Sequence, residues 1–356
     1  MSELRINNIT DRAGSSGPII AGVSTVTSTS HMVMPSGPTE MRGGRGRGIV
    51  AGGETAPAKL SSMEFIEIAT TGNATDFGDL SEAKMNVTGA SSSTRGVIMG
   101  GTTGTSPNFS VKSIEYTIIS SSGGSNDFGD LIGGQAKDGA GVTSEIRGFI
   151  CGATQQSAYG NYNNTIEFVT IATTGDSNEF ADLASAGKQL NAGCESSTRG
   201  IVLGGYRGTT PSDTDATNNI QFFNFASTGN TTRFGELTQT ARNVIAVSDQ
   251  TRGVRMGGFT EPANAFTDRM DFITMASEGN ATDFGDLSGN ELNGAPVQNK
   301  TRGVMMGTEQ PGSSQLNVIQ FITIQSTGNS LDFGDLSAAR AGVPAGLCDI
   351  NASNSG

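Results

Sequence analysis

The 356-residue chain contains no tryptophan, a single histidine (His31), three cysteines and only 16% charged residues. Each shortage closes off a class of function. One imidazole cannot build a histidine-rich metal centre or the general-base pairs on which much hydrolytic and oxidative chemistry rests. Cys151, Cys194 and Cys348 are odd in number and lie in apolar or small-residue stretches, without a second Cys or a His at ligand spacing. They read as buried free thiols. Lys plus Arg number 22 against 34 Asp plus Glu, a net charge of −12 with no basic run. Such a surface repels a phosphate backbone, so nucleic acid is not an expected partner. No stretch approaches the roughly 18 apolar residues of a membrane span. Met1-Ser2-Glu3-Leu4-Arg5 also lacks the apolar core of a signal peptide. A soluble protein made in the cytosol, without membrane insertion, is expected.

What the chain does have is glycine. The 51 Gly and 10 Pro together are about 17% of the residues, above the roughly 12% average but short of the roughly 25–30% that marks low-complexity disorder. That predicts a folded, turn-rich chain. Two anchors then repeat six times. The first is an Arg-Gly step followed by an apolar run and glycine: RGIVAGG from Arg47, RGVIMGG from Arg95, RGFICGA from Arg147, RGIVLGG from Arg199, RGVRMGG from Arg252 and RGVMMGT from Arg302. The second puts Phe77, Phe128, Phe180, Phe234, Phe284 and Phe333 before Gly or Ala and then Asp79, Asp130, Asp182, Glu236, Asp286 or Asp335.

Between the anchors lie runs such as Ile114-Glu115-Tyr116 and Ile166-Glu167-Phe168, apolar at alternate positions. Period two with β-branched and aromatic residues predicts a half-buried strand. Thr-Gly-Asn turn chemistry follows, then a short strand around the Phe. A last segment of small residues, such as MNVTGAS or QLNAGCES, suits crowding near an axis. Four short strands in roughly 50 residues make a propeller blade. The repeats run near 45–93, 94–145, 146–197, 198–250, 251–300 and 301–356. The first lacks an innermost strand, and Gly346 to Ala352 supply a surplus one, which predicts ring closure between the two ends of the propeller.

These units resemble kelch repeats, which place a glycine pair at the end of the second strand, an aromatic midway along the third and a Trp on the fourth. Gly100-Gly101, Tyr116 and Phe128 stand at those places in the second repeat, with Phe replacing Trp throughout. The resemblance covers residues 45–356. It implies an all-β, six-bladed kelch-like β-propeller with an extended N-terminal arm, residues 1–44. The TRGV and TTGNATDFGDL elements are more specifically similar to repeats of structural proteins of tailed phages, marine ones especially. Appendage proteins of that kind often begin with an LRINNI-like arm followed by Gly, Ser and Thr, which Leu4 to Ile9 and the stretch to Ser30 match.

This second resemblance implies a non-enzymatic virion structural protein, assembled in the host cytoplasm. It would be displayed in multiple copies on a tail fibre or other appendage and anchored to other virion proteins by its arm. A capsid decoration protein and a stand-alone glycan-binding propeller are the alternatives. Kelch propellers that are copper radical oxidases need His and Tyr ligands and a Tyr linked to Cys, and sialidase-like propellers need a Tyr nucleophile beside an Arg cluster. Here His31 lies in the arm, Tyr116 in a strand, and Tyr159, Tyr162 and Tyr206 in loops. Catalytic, cofactor-binding and metal-binding residues are therefore expected to be none.

Three features remain as candidate sites. In the arm, Leu4, Ile6 and Ile9 are more apolar than a linker needs, and are expected to dock on a partner rather than form a floppy tail. Arg47, Arg95, Arg147, Arg199, Arg252 and Arg302 are expected at the start of the second strand, and the six acids at the start of the fourth, on one face of the disc. They form either an anion site or interface ring, or a repeated ion pair or hydrogen-bonded turn. The calcium reading of Asp76 and Asp79 yields to turn capping, because calcium needs about six to eight oxygens. Finally, the connections between second and third strands vary while the rest of the repeat holds. They carry Phe109, Tyr159, Tyr162, Tyr206, Phe259 and Phe266, side chains suited to an adaptable contact face for a host glycan or protein. The alternative is that they are solvated loops whose aromatics fold back over the blade edges.

Overall fold

The computed structural model describes residues 46–104, 110–155, 162–184, 188–189, 191–207 and 215–349. Leu4, Ile6 and Ile9, with Phe109 and Tyr159, lie outside the described residues. Five four-stranded antiparallel sheets and one of five strands, in which the short strand Ala136–Lys137 is added beside the second strand, form the six blades of a β-propeller. From the innermost strand outwards, the second blade runs Thr88–Ser91, Arg95–Met99, Ser113–Ile118, Asn126–Asp130, and the others repeat this order. In the first blade the innermost place is taken by Ala345–Cys348, which pairs Gly48 with Cys348 through to Ala51 with Ala345. The expected closure is thus made by the C-terminal strand.

Small residues near the axis are a geometric requirement. A Cβ on Gly141 would lie 2.1 Å from the Gly89 carbonyl oxygen, and one on Gly346 would lie 1.8 Å from that of Pro296. Backbones of successive innermost strands therefore touch, and no side chain fits between them. Further out, the apolar core lies between blades rather than within them. Val50, Ile66 and Ile68 of the first blade, for example, form one cluster with Val304, Ile319, Phe333 and Leu336 of the sixth. Each blade is covered on both faces by its neighbours.

The Phe-Gly-acid anchor is a β-bulge. In the second blade Ile114 pairs with Gly129 and Glu115 with Asp127, which leaves Phe128 as the extra residue. All six blades shift register at this place. The Phe points into the core, edge-on to the aromatic of the third strand, as in the Tyr116–Phe128 pair with ring centroids 6.0 Å apart.

The glycine that follows lets the next blade approach. Gly123 N–H donates to the Phe77 carbonyl and Ser125 N–H to that of Asp79, so the loop between third and fourth strands of one blade covers the outer edge of the blade before it. The ring closes here as well, with Gly72 N–H bonded to Phe333 and Ala74 N–H to Asp335. At Gly285, φ is +145° and a Cβ would lie 2.4 Å from the Gly328 carbonyl oxygen. Gly285→Ala should therefore cost about 1–3 kcal/mol, from strain and loss of the edge bonds. The third blade provides the control: Ala181 already stands at this place, and Thr231 N–H still bonds the Asp182 carbonyl. Chemical denaturation of Gly285→Ala beside Ala181→Gly measures both, and the second change should cost about 0.5–1 kcal/mol, from backbone entropy and lost burial rather than from a clash.

The six acids require a correction. Arg47 pairs with Glu67 at the far end of the third strand, and Asp79 pairs with Ser62 at its beginning. Asp79, Asp130, Asp182, Glu236, Asp286 and Asp335 each end the outermost strand instead of starting it. Arginines and acids consequently lie on opposite faces of the disc and form no repeated ion pair. The bulge carries the strand through Phe and Gly to the acid, where the sequence pattern suggested a new strand.

Candidate functional site

One face of the disc is made of the turns between innermost and second strands and the loops between third and fourth. The turn is the same six times. Ser92, Ser144, Ser196, Asp249, Asn299 and Asp349 each accept, on a side-chain oxygen, the backbone N–H of the arginine three places on in the turn. In the last case Asp349 reaches Arg47, 302 residues away in sequence. Each arginine then lies over the aromatic of its own third strand, 4.2 Å from the Phe65 centroid for Arg47 and 4.6 Å from that of Tyr116 for Arg95. Arg147, Arg199, Arg252 and Arg302 repeat the contact on Phe168, Phe222, Phe272 and Phe321.

The guanidiniums of Arg47, Arg95, Arg199, Arg252 and Arg302 also donate to the blade ahead. Arg95 reaches the carbonyls of Ile171 and Ala172 at 3.2 and 2.9 Å, and Arg302 reaches Ile68 and Ala69 across the closure at 3.1 and 3.0 Å. A charge placed on a ring and on two carbonyls fastens blade to blade. The hydrogen-bonded turn accounts for the arginine ring.

The acids serve through their backbones. Asn73, Asn230 and Asn329 of the Thr-Gly-Asn loops, and Asn280 of the corresponding Glu-Gly-Asn, accept N–H bonds from Asp335, Asp182, Asp286 and Glu236 of the preceding blade. Their carboxylates face solvent or local partners, such as Lys112 Nζ at 2.9 Å from Asp130. Among the described residues, no three His, Cys, Asp or Glu side chains gather as a metal ion would require.

Sequence reasoning missed a second ring, which is buried. The middle residue of each Ile-Glu-Tyr-type run is Glu64, Glu115, Glu167, Gln221, Asp271 or Gln320, and all six are buried. Each bonds the chain just after the outermost strand of the preceding blade: Ser81 N–H donates to Glu115, Gly133 N–H to Glu167, Ala184 N–H to Gln221, Ser288 N–H to Gln320 and Ser337 N–H to Glu64. At the fourth junction the Thr238 hydroxyl donates to Asp271 at 2.6 Å.

A buried cation meets the ring carboxylate at three of the six junctions. Lys84 pairs with Glu115 and Arg340 with Glu64, while Glu291, at the corresponding place, accepts a bond from the Gln320 amide at 2.8 Å. Where that place holds Ala241, Arg255 replaces an apolar residue of the second strand and pairs with Asp271. Burial raises the pKa of Glu291, against hydrogen bonds from Thr308, Gln310 and Gln320 that lower it. Glu115 goes the other way: burial raises its pKa, but Lys84, Ser125 and the Ser81 N–H together hold it below the usual carboxylate value. The thiols of Cys151, Cys194 and Cys348 are buried, and burial pushes their pKa values up, so they are poor nucleophiles.

The opposite face carries the connections between second and third strands. It also carries those from each outermost strand to the next innermost one. A pocket on the axis opens among glycines and alanines of the innermost strands, with Thr88 and Asn191 as its polar side chains. Around it the loops differ from blade to blade. Tyr162 begins the strand Tyr162–Thr170, its backbone paired with Thr154. Tyr206, Phe259 and Phe266 are brought together between the fourth and fifth blades, all half-buried. Phe259 and Phe266 meet edge to face with centroids 5.8 Å apart.

The residue that joins them is Arg242, also missed from the sequence, 5.3 Å from the Tyr206 centroid and 4.4 Å from that of Phe259. Its Nε donates to Glu261 at 3.2 Å. The only signal in the sequence is that Arg242 occupies a place taken by Met85, Lys137, Gln189, Leu292 and Ala341 in the other repeats. The aromatics thus fold partly onto the disc, around a guanidinium. No protein-family model matches the chain, and no curated protein is significantly similar to it.

Proposed function

We propose that the chain is a non-enzymatic structural protein of a tailed-phage particle, a kelch-like propeller displayed on a tail fibre or other appendage and held there by its N-terminal arm. The observation that carries this reading is the contrast between the two faces. One repeats the same side-chain bond to an arginine N–H six times, in five turns and once across the closure, with every ring arginine lying over an aromatic ring. The other presents irregular loops and an aromatic cluster around Arg242. Rigid discs whose variation is confined to one face suit display and contact better than chemistry. The similarity of the repeats and of the LRINNI arm to phage appendage proteins supports the particle as the location. Other virion proteins are then the partners of the arm, and a host glycan or protein the partner of the loop face.

A mass-spectrometric inventory of purified particles tests the reading, combined with a deletion of residues 2–24. The full chain should be present in multiple copies. The deleted chain should keep the propeller's melting behaviour and be missing from particles. Absence of the full chain, or normal incorporation of the deleted one, overturns the proposal.

A further inference from the structure

Arg242 is bound differently from the other arginines of the propeller. The ring arginines Arg47, Arg95, Arg199, Arg252 and Arg302 donate to carbonyls of the next blade, and Arg255 and Arg340 are buried against carboxylates. Arg242 is about a quarter exposed, at 27% of its side chain. Its backbone is fixed by paired bonds with Phe259, and its guanidinium lies over Tyr206 and Phe259. Nε donates to Glu261, and Nη1 donates to Asn243 Oδ1 at 3.2 Å. Glu261 is anchored in turn, accepting the Ala216 N–H at 2.9 Å on its other carboxylate oxygen. Among the described residues no acceptor meets Nη2. Among the described residues the group is therefore a positioned cation with one edge held and the other without an acceptor.

We propose that this second edge, walled by Tyr206, Phe259 and Phe266, binds the carboxylate of an acidic sugar, such as a uronic or sialic acid unit of a surface polysaccharide. The proposal rests on the reading of the loop face as a contact surface. A guanidinium fork fits a carboxylate with two parallel hydrogen bonds, and one already oriented by ring contacts loses little rotamer freedom on binding. Aromatic walls offer apolar area to the C–H face of a pyranose, which favours a sugar acid over a bare anion. Electrostatics favours the same place. The fourth repeat, residues 198–250, holds four arginines against four acids, whereas each of the other five repeats is net acidic, so within the propeller an anionic polymer is repelled least at this repeat.

Titration calorimetry on the full-length protein tests this with an oligogalacturonate, its carboxyl-reduced neutral counterpart and inorganic phosphate. The acidic oligomer should bind at least tenfold more tightly than either of the others. Arg242→Gln should abolish that binding, and Arg242→Lys, which keeps the charge but loses the fork, should weaken it at least tenfold with an unchanged melting temperature. Equal affinity for the neutral oligomer overturns the proposal, as does equal affinity for phosphate, full binding by Arg242→Gln, or no binding at all. The particle inventory is independent of this result. A particle-borne protein indifferent to the acidic sugar loses the site and keeps the function, and an acid-binding protein missing from particles does the reverse.

Discussion

A chain ending at Pro344 is expected to lose the cooperative fold of the whole propeller. The segment removed is one of the four principal strands of one blade, yet it sits where the ring closes. Leu347 is fully buried and Ala345 and Cys348 nearly so. A Leu and a Cys taken out of the core cost about 4 kcal/mol in lost burial and cavity formation, against a total of roughly 5–15 kcal/mol for a typical domain. Backbone terms add to this. The strand Arg47–Ala51 becomes an unpaired edge, and Asp349 no longer caps Arg47 through its 2.8 Å bond. The innermost strands of the second and sixth blades also lose the backbone they pack against, at Gly89 and Pro296. Circular dichroism melting and size-exclusion chromatography of the shortened chain should show a melting temperature lower by tens of degrees or association through the open edge. A monomer with the full-length melting curve would show that closure contributes little.

The ring was legible in the sequence because a propeller gives each repeat the same surroundings. The Arg-Gly step, the glycine pair and the Phe-Gly-acid step mark backbone places where a small residue, glycine in most repeats, is required. Gly78, Gly129, Gly235, Gly285 and Gly334 are each held by a carbonyl of the next blade, whatever the loops do. Direction was harder to read. Asp79 and its equivalents look like the start of a strand unless the bulge at Phe77 is known, and a bulge is a property of the pairing rather than of one strand.

Alternation misled in a similar way. In Ile114-Glu115-Tyr116 the polar residue of a half-buried strand should meet water. A blade has neighbours on both faces, however, so Glu115 is buried and meets the preceding blade instead. The buried ring is visible only when complementary changes are compared across junctions, as between Lys84, Ala241 and Arg340. Arg242 belongs to a different category. It is one residue in one repeat, and nothing periodic announces it.

The Lys84–Glu115 junction gives the second large effect, with a pH dependence that separates it from simple packing loss. Both side chains are buried, with exposures of 0% and 3%. Lys84→Met should destabilise the propeller by about 3–5 kcal/mol near neutral pH, because it leaves a buried carboxylate without its cation. In the native protein Glu115 titrates below its usual value of 4.5, since Lys84 and the bonds from Ser125 and Ser81 outweigh the burial that raises it. A depressed folded-state pKa means that the group's contribution is present above that value and is lost as pH falls through the folded pKa.

Without Lys84 the largest influence left is burial, and the sign reverses. The carboxyl of the variant then prefers to be protonated, and its penalty is absent at acid pH and grows as pH rises through the raised pKa. Urea unfolding of the two proteins from pH 4 to pH 8 should therefore diverge, with the deficit of Lys84→Met smallest at pH 4. Adding Glu115→Gln, which keeps an acceptor for the Ser81 N–H without the charge, should recover most of the loss near neutral pH. A deficit that is independent of pH and untouched by Glu115→Gln would mean that Lys84 acts only by filling space.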